Sequence, residues 1–145
     1  MYNPIKEIHF KRQIELLHSV ASLFDFKVIN DKDGNEYVLL SKNNINHIDE
    51  TIEDKTAFEA FENHEHISAN IKKSDFENAC YIGEMLGKAL LLSLKQTFPH
   101  KSFIVFSDVH YDEIIIRFHQ KWNNEPFYYD VYTDYGNESK LFAFE

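Results

Sequence analysis

The chain has 145 residues, of which 24 are acidic and 15 are Lys or Arg, so its formal net charge is −9 at pH 7. Hydrophobic residues make up 43% of it, with 13 Phe and 8 Tyr, which argues against an intrinsically disordered chain. The excess of acids argues against direct binding to nucleic acid, whose phosphates are neutralised by Lys and Arg. The length is typical of one domain with its own core, so we expect residues 1–145 to form a single domain.

The expected compartment follows from cysteine use and from the absence of long apolar runs. The single cysteine, Cys80, cannot form an internal disulfide, which fits a reducing environment. The first 13 residues lack the apolar stretch of a signal peptide. No run approaches the roughly 18 apolar residues that a membrane span requires. We therefore expect a cytoplasmic protein that does not enter a membrane.

A first helix is predicted to begin at Asn3-Pro4, with Asn as N-cap and Pro at the first helical position. Apolar residues then recur at spacings of three and four, which predicts a stripe that faces the core. The predicted stripe consists of Phe10, Ile14, Leu17, Ala21 and Phe24, and it is broadened by Leu16, Val20 and Leu23. Residues 26–41 are typical of a β-hairpin that turns at Asp33-Gly34. The acids around this turn do not match a calcium-binding loop, so the turn is the favoured interpretation.

The segment between the hairpin and the next long helix is polar and acidic. Thr56 and Glu59 have the spacing of a capping box, which predicts a short helix with Phe58 and Phe61 facing inward. A pair of histidines at positions 64 and 66 follows, at the predicted end of that helix. Zinc needs three or four converging ligands, and side chains at i and i+2 diverge on a helix. The sequence therefore predicts no metal site and no cofactor.

Residues 74–98 predict the longest helix and the centre of the core. Ser74 and Glu77 match a capping box, and Pro99 marks the end. The predicted core face consists of Phe76, Cys80, Gly83, Leu86, Leu90 and Leu94. Further apolar residues at Met85, Ala89 and Leu92 widen this face, which predicts a helix buried nearly all round.

The glycine pair Gly83-x-x-x-Gly87 in this helix indicates that another element approaches it closely.

Downstream, residues 102–110 and 112–122 predict two paired strands, residues 127–133 a third, and residues 141–145 a last short strand. The expected fold class is α+β: an antiparallel sheet of about five strands, with two longer helices and one short helix packed mainly on one face.

No sequence motif indicates catalysis. The chain lacks a phosphate-binding loop, a dinucleotide fingerprint, a serine elbow and a zincin motif. The E-x-K fragments at 53–55 and 138–140 resemble part of a nuclease site, but three-residue matches are common in a charged chain. Cys80 lies on the apolar face of a predicted core helix, where a thiol acts as a small hydrophobe. We therefore predict no catalytic residues.

Acids and tyrosines are concentrated in two regions. Residues 49–65 carry seven acids and one lysine. In the second region, tyrosines alternate with acids, and a strand would leave about half of the rings outside. This region contains Tyr128, Tyr129, Tyr132 and Tyr135 with Glu125, Asp130, Asp134 and Glu138. Exposed tyrosines among charges are typical of protein-binding hot spots, although packing on a sheet face would also explain them.

Taken together, the short acidic α+β chain, the segment EPFYYDVYTDYGNES (125–139) and the strand DEIIIRFHQKW (112–122) resemble the small immunity proteins of bacterial toxin systems. The similarity is greatest to those of contact-dependent growth inhibition. It implies a non-enzymatic inhibitor that binds the C-terminal toxin domain of its own system, commonly a basic nuclease. The residues it implies as partner-binding are Asp49, Glu50, Glu53, Asp54, Tyr128, Asp130, Tyr132 and Asp134.

Two alternatives stay open at this point. One is a small cytosolic enzyme or ligand-binding domain with a pocket between the sheet and the long helix, lined by Tyr111, Arg117 and His119. The other is an adaptor or a subunit of a larger complex.

Overall fold

The computed structural model describes residues 4–67, 72–129 and 139–145. Its helices are α1 (Pro4–Ser22), α2 (Lys55–Glu62) and α3 (Phe76–Thr97), and a single 3₁₀ turn (Lys73–Asp75) leads into α3. Its strands are β1 (Phe26–Asn30), β2 (Glu36–Leu40), β3 (His64–Ile67), β4 (Phe103–His110), β5 (Ile114–Gln120) and β6 (Ser139–Phe144). No helix in these ranges has the length and apolar character of a membrane span.

The predicted α+β class with antiparallel pairing is confirmed. The described strands form two sheets, a β1-β2 hairpin and a four-stranded sheet in the order β3-β5-β4-β6. The hairpin turns at Gly34, whose positive φ of 82° is the conformation that glycine adopts most easily. Strand β3 was not predicted, because its sequence HEHI has one apolar residue in four. Of the predicted strand 127–133, the structure describes only residues 127–129, which are not in a strand.

The buried carboxylate of Glu59 in α2 joins the two sheets. Its oxygens accept hydrogen bonds from the backbone N–H of Val38 (2.9 Å), the backbone N–H of Gln120 (2.7 Å), the side-chain amide of Gln120 (2.6 Å) and the indole of Trp122 (3.0 Å). Val38 is in β2 and Gln120 is in β5. The carboxylate therefore occupies the place that a neighbouring strand would otherwise take beside both strands.

Asn63, directly after α2, extends this bridge. Its side-chain oxygen accepts the N–H of Leu40 (3.0 Å), and its amide donates to the carbonyl of Val38 (2.8 Å). Its own carbonyl accepts the N–H of Phe118 in β5 (3.2 Å). Both Glu59 and Asn63 are fully buried. The expected single sheet is thus two sheets connected through the side chains of one helix.

The main core lies between the four-stranded sheet and the two long helices, which is the expected arrangement. Its buried residues include Leu23, Leu90, Leu94, Phe103, Val105, Val109, Ile114, Ile116 and Phe118.

The predicted close approach at the glycine pair of α3 is confirmed. A Cβ at Gly83 would lie 2.6 Å from the Val109 side chain, and one at Gly87 would meet the Phe144 ring. Cys80 packs against this core, and burial raises the pKa of its thiol, which disfavours the reactive thiolate.

The prediction that α3 is buried nearly all round is wrong. Met85 is 50% exposed and Leu92 is 58% exposed, because the sheet covers one side of the helix and no described element covers the other. The predicted capping box is also absent. Ser74 lies inside the 3₁₀ turn, and Asp75, which precedes the helix, makes no side-chain cap hydrogen bond.

The main line of the core-facing stripe predicted for α1 is wrong as well. Ile14, Leu17, Ala21 and Phe24 are exposed, Leu17 by 64%, and the side chain of Phe10 is outside the described part. The residues predicted to broaden the stripe, Leu16, Val20 and Leu23, contact the main core instead. The helix carries two apolar stripes about 120° apart at 3.6 residues per turn, so its sequence is compatible with either orientation.

Helix α2 was placed correctly but begins one residue earlier than its predicted cap. Asp54 is the N-cap, and its carboxylate accepts the N–H of Ala57 (2.8 Å). Thr56 and Glu59 therefore do not form a capping box, and Glu59 points into the protein. Phe58 faces inward as predicted, with its ring 5.2 Å from that of Tyr37. Phe61 does not, since it is 63% exposed.

A first prediction concerns the Glu59 bridge. Glu59→Gln should lower the free energy of unfolding by about 2–4 kcal/mol, because the amide NH₂ would face N–H donors. Urea unfolding at pH 8 measures this difference. The matched control is Glu62→Gln in the same helix, where the side chain receives one hydrogen bond from Asn43 that a Gln oxygen can also accept. Equal stability losses in the two variants would contradict the bridging role.

The same carboxylate should also make stability depend on pH. Burial raises the pKa of Glu59 from 4.5 to about 7, although hydrogen bonds from Gln120, Val38 and Trp122 favour the charged form. Between these values the unfolded chain loses the proton and the folded chain keeps it, so the free energy of unfolding should fall as pH rises from 4.5 to 7. That component of the slope should be missing in Glu59→Gln.

Candidate functional site

The acidic segment that precedes α2 is held by apolar anchors while its carboxylates face solvent. Ile48 is buried against β1 and β2, and Ile45 and Ile52 pack against the same cluster, which contains Ile29, Tyr37 and Leu39. Asp49 and Glu50, between two of these anchors, and Glu53, directly after Ile52, are exposed. Glu50 and Glu53 make no ion pair with any described residue. Because the anchors recur every three or four residues, this irregular backbone is fixed without using its acids.

A second set of contacts fixes the acidic segment to the hairpin turn. Thr51 donates its hydroxyl proton to a carboxylate oxygen of Asp33 (2.7 Å). Asp31 organises the turn itself, accepting from the N–H groups of Asp33 and Asn35, the Asn35 amide and the Tyr37 hydroxyl. Burial opposes the charged form of Asp31, but these hydrogen bonds outweigh it and lower the pKa to about 2. The turn interpretation of these acids is therefore confirmed.

Two of the predicted partner-binding acids already have partners within the chain. Asp54 caps α2, where its negative charge also faces the positive end of the helix dipole. Asp49 lies 2.5 Å from the imidazole of His47, and both side chains are exposed. The acids that remain available to another molecule are thus Glu50 and Glu53, together with Asp49 if it leaves His47.

Glu125 joins the acidic segment to the tyrosine segment. Its carboxylate accepts the backbone N–H groups of Lys55 (3.2 Å) and Thr56 (2.6 Å) in the first turn of α2, and the Lys55 ammonium lies 3.8 Å away. Burial opposes the charged form, but the hydrogen bonds from Thr56 and Lys55 outweigh it and lower the pKa of Glu125. Two regions that are about 70 residues apart in sequence therefore lie side by side.

Tyr128 is the exposed member of an ordered aromatic group. The residue is 41% exposed, and its ring lies 4.6 Å from the guanidinium of Arg117. Its backbone N–H donates to Nε2 of the buried His119 (3.2 Å). The neighbouring ring of Tyr129 contacts it edge-on at 5.1 Å and also packs on Phe106 at 5.0 Å. These contacts hold Tyr128 in one position at the surface.

Arg117 is the residue on which this aromatic group rests. It projects from β5, is buried, and donates a hydrogen bond from Nη1 to the carbonyl of Ala60 in α2. Its guanidinium thus contacts α2 on one side and the Tyr128 and Tyr129 rings on the other. A cation enclosed by aromatic rings is stabilised by the ring quadrupoles. The loop that contains the tyrosines is therefore attached to both ends of α2, through Glu125 at its first turn and through Arg117 at its last turn, while the acidic segment leads directly into the helix.

The three remaining predicted partner-binding residues, Asp130, Tyr132 and Asp134, lie outside the described residues.

A groove of about 520 Å³ adjoins the acidic segment and is bordered by Asp31, His47 and Asp49 together with β1. Of the exposed acids of this segment, Asp49 thus borders a depression.

The histidine pair lies on a strand. The sequence had placed it at the end of a helix, and that prediction is wrong. On β3, His64 and His66 share one face, and their ring centroids are 5.2 Å apart. His66 contacts a carboxylate oxygen of Glu113 (2.8 Å), and His64 Nδ1 contacts the carbonyl of Phe61 (2.5 Å). The described residues contain no group of three or more side chains arranged to hold a metal ion.

The residues expected to line a pocket beneath the long helix lie elsewhere. Arg117 and His119 alternate along β5 with Ile116 and Phe118, which face α3, so they project from the opposite face of the sheet. Tyr111 is in the turn between β4 and β5 and is exposed. The three side chains therefore do not converge between sheet and helix.

The sequence predicted the acids and Tyr128 as partner-binding residues, which stays a prediction, but it did not reveal the residues that position them. Glu125 was counted among the acids, and its partners on α2 could not be found without the fold. Arg117 was assigned to a pocket, because strand alternation shows the face on which a residue lies but not what covers that face. Neither residue carries a local signal for its contacts.

No protein-family model, no curated protein and no solved structure matches this chain.

A second prediction concerns the Glu125 connection. Glu125→Ala should lower the free energy of unfolding by about 1 kcal/mol at pH 7, because two N–H groups at the start of α2 lose their acceptor. Hydrogen exchange at Lys55 and Thr56 should become faster. Because the folded pKa is lowered, the difference from wild type should shrink as pH falls below the ordinary value of 4.5. Glu50→Ala is the control, since this acid is exposed and should change neither quantity.

Proposed function

We propose that this protein is an immunity-type inhibitor, which binds and neutralises the toxin domain of its own system. The observation that supports the proposal is the junction at Glu125, which ties the loop that leads to the exposed Tyr128 to the first turn of α2, directly after the exposed acids of residues 49–54. Such a surface combines a rigid aromatic anchor with surrounding negative charge, the composition of a binding hot spot for a basic protein.

Charge supports a basic partner. The net charge of −9 and the free carboxylates of Glu50 and Glu53 favour rapid encounter with a positively charged protein. A toxin that acts on nucleic acid needs a positive surface to bind its substrate. A surface that carries carboxylates at fixed positions would compete with that substrate for the same Lys and Arg side chains.

Preorganisation supports affinity. The acidic segment is anchored by Ile48 and by the Thr51–Asp33 hydrogen bond, and Tyr128 is held by Arg117 and His119. Binding by groups that are already fixed loses little conformational entropy. The proposed inhibitor would therefore act as a rigid surface, in the cytoplasm where its toxin arrives.

The alternative proposal is a small enzyme or ligand-binding domain. Its best support is the polar group on the outer face of the sheet, where His64 lies opposite Arg117 in the β3–β5 pairing and His119 follows two residues later on β5. The Tyr128 and Tyr129 rings cover Arg117. A metabolite screen by thermal shift would support this alternative if a ligand stabilised the wild type but not His64→Ala.

A third prediction tests the inhibitor function directly. The tagged chain, expressed in its native cell, should capture a stoichiometric basic protein that arrests growth when produced alone and is neutralised by co-expression of the wild type. For the purified pair, Glu50→Lys/Glu53→Lys should weaken binding about 10-fold or more, chiefly by slowing association, and the effect should shrink at high salt. Surface plasmon resonance measures both rates.

The matched control is Glu15→Lys/Asp25→Lys, which makes the same charge change at exposed acids of α1 and the residues after it. Its affinity should stay within about 2-fold of wild type if position matters more than net charge. Unchanged affinity in Glu50→Lys/Glu53→Lys, at unchanged melting temperature, would show that the surface is assigned wrongly. A captured partner that is not toxic would reject the inhibitor function itself. Asp130→Lys/Asp134→Lys extends the test beyond the described residues.

A further inference from the structure

Four charged residues form a line along α3. Glu77, Glu84, Lys88 and Lys95 fall within about 40° of one another around the helix at 3.6 residues per turn. Both acids precede both bases along the helix. Within one copy, Glu84 and Lys88 form an i, i+4 ion pair of 2.7 Å, in which Lys88 is exposed and Glu84 is partly exposed.

This line faces the open edge of the four-stranded sheet. Lys88 and Lys95 border a groove of about 400 Å³ whose opposite side is formed by Ala143, Phe144 and Glu145 at the end of β6. Strand β6 pairs with β4 on one side, and no described strand pairs with residues 140–144 of β6 on the other side. An unpaired edge presents backbone N–H and C=O groups that can accept another strand. The charged line and the strand edge thus form one continuous surface, which we call the α3–β6 surface.

The charges on this surface are complementary to themselves. A two-fold axis perpendicular to the sheet would place α3 antiparallel to α3 of a second copy, and β6 antiparallel to β6. Residues 77 and 95 are each nine positions from residue 86, and residues 84 and 88 are each two positions from it. One alignment therefore sets Glu77 against Lys95 of the second copy and Glu84 against its Lys88. Every contact of this line would join opposite charges.

We infer that the occupant of the α3–β6 surface is a second copy of this chain. The dimer joins four strands from each copy into one sheet and packs the two α3 helices side by side on the same face. Tyr81 and Leu92, both more than half exposed, lie beside the charged line and gain apolar contacts. None of the described residues predicted to bind a toxin (Asp49, Glu50, Glu53, Asp54 and Tyr128) is on this surface, and this inference does not rest on the function proposed above.

The dimer should be of moderate affinity. One helix line and a six-residue edge bury less than the roughly 1,600 Å² of a standard interface. We therefore expect a dissociation constant in the micromolar range, with a dimer fraction that rises between about 1 and 200 µM in sedimentation equilibrium. A wild-type chain that stays monomeric over this range overturns the inference.

Charge swapping tests the geometry. Glu77→Lys/Glu84→Lys carries four bases in the line and Lys88→Glu/Lys95→Glu carries four acids, so each variant alone should be monomeric. An equimolar mixture should form a heterodimer at least as tight as the wild-type dimer, because all four contacts become attractive. Circular dichroism confirms that both variants are folded. A mixture that remains monomeric while the wild type dimerises overturns the antiparallel alignment.

The matched control is Lys11→Glu/Arg12→Glu on α1. Like Lys88, Lys11 is an exposed lysine in an i, i+4 pair with a glutamate, here Glu7 at 3.1 Å. This variant should dimerise as the wild type does. If it is equally impaired, the effect is one of net charge and the α3–β6 surface is not the interface. A toxin partner that is lost in the Lys88→Glu/Lys95→Glu variant, with a monomeric wild type, would assign the surface to that partner and also overturn the inference.

Discussion

The arrangement of this protein depends on the carboxylate of Glu59. Four N–H donors from β2, β5 and Trp122 converge on it inside the protein, where an unpaired charge would be strongly destabilising. The carboxylate and its donors therefore require one another, since removal of either leaves buried polar groups without partners. Asn63 repeats the pattern one turn later. The position of α2 follows from this network, and so does the position of the hairpin relative to the four-stranded sheet.

The candidate partner-binding surface is a consequence of where α2 lies. Asp54 and Glu125 satisfy the N–H groups of its first turn, and its last turn gives the Ala60 carbonyl to Arg117. Each of these contacts fixes the position of another segment relative to α2. The segments are the acidic segment before α2, the loop that contains Glu125, and the tyrosines stacked on Arg117. Asp54, whose charge caps α2, thus lies within a few residues of the exposed carboxylates of Glu50 and Glu53. Glu50 and Glu53 face solvent, while Asp54 and Glu125 fix the first turn of α2 beside them.

The two long helices share another property, which is that each has more apolar surface than the core covers. In α1, Leu16, Val20 and Leu23 are inside, while Ile14, Leu17 and Phe24 face outward. In α3, Tyr81, Ile82, Met85 and Leu92 are exposed although the opposite side is tightly packed at Gly83 and Gly87. Contiguous apolar surface of this kind is typical of contact sites. For α3, the charge order along the helix specifies a self-complementary partner, whereas α1 carries no comparable pattern.

The sequence by itself determined the local elements of this protein. Periodicity located all three helices and five of the six described strands, and the Asp33-Gly34 turn predicted the hairpin. Apolar spacing also identified the face of α3 that packs on the sheet. This face carries Gly83 and Gly87, where the lack of a side chain lets the sheet approach the helix closely. Local pattern could not choose between the two stripes of α1, since both fit the same period. Only the tertiary structure decided that choice, the division into two sheets and the junction at Glu125. The physical reason is that each depends on hydrogen bonds or packing between residues far apart in sequence, such as Glu59 with Gln120 and Glu125 with Thr56.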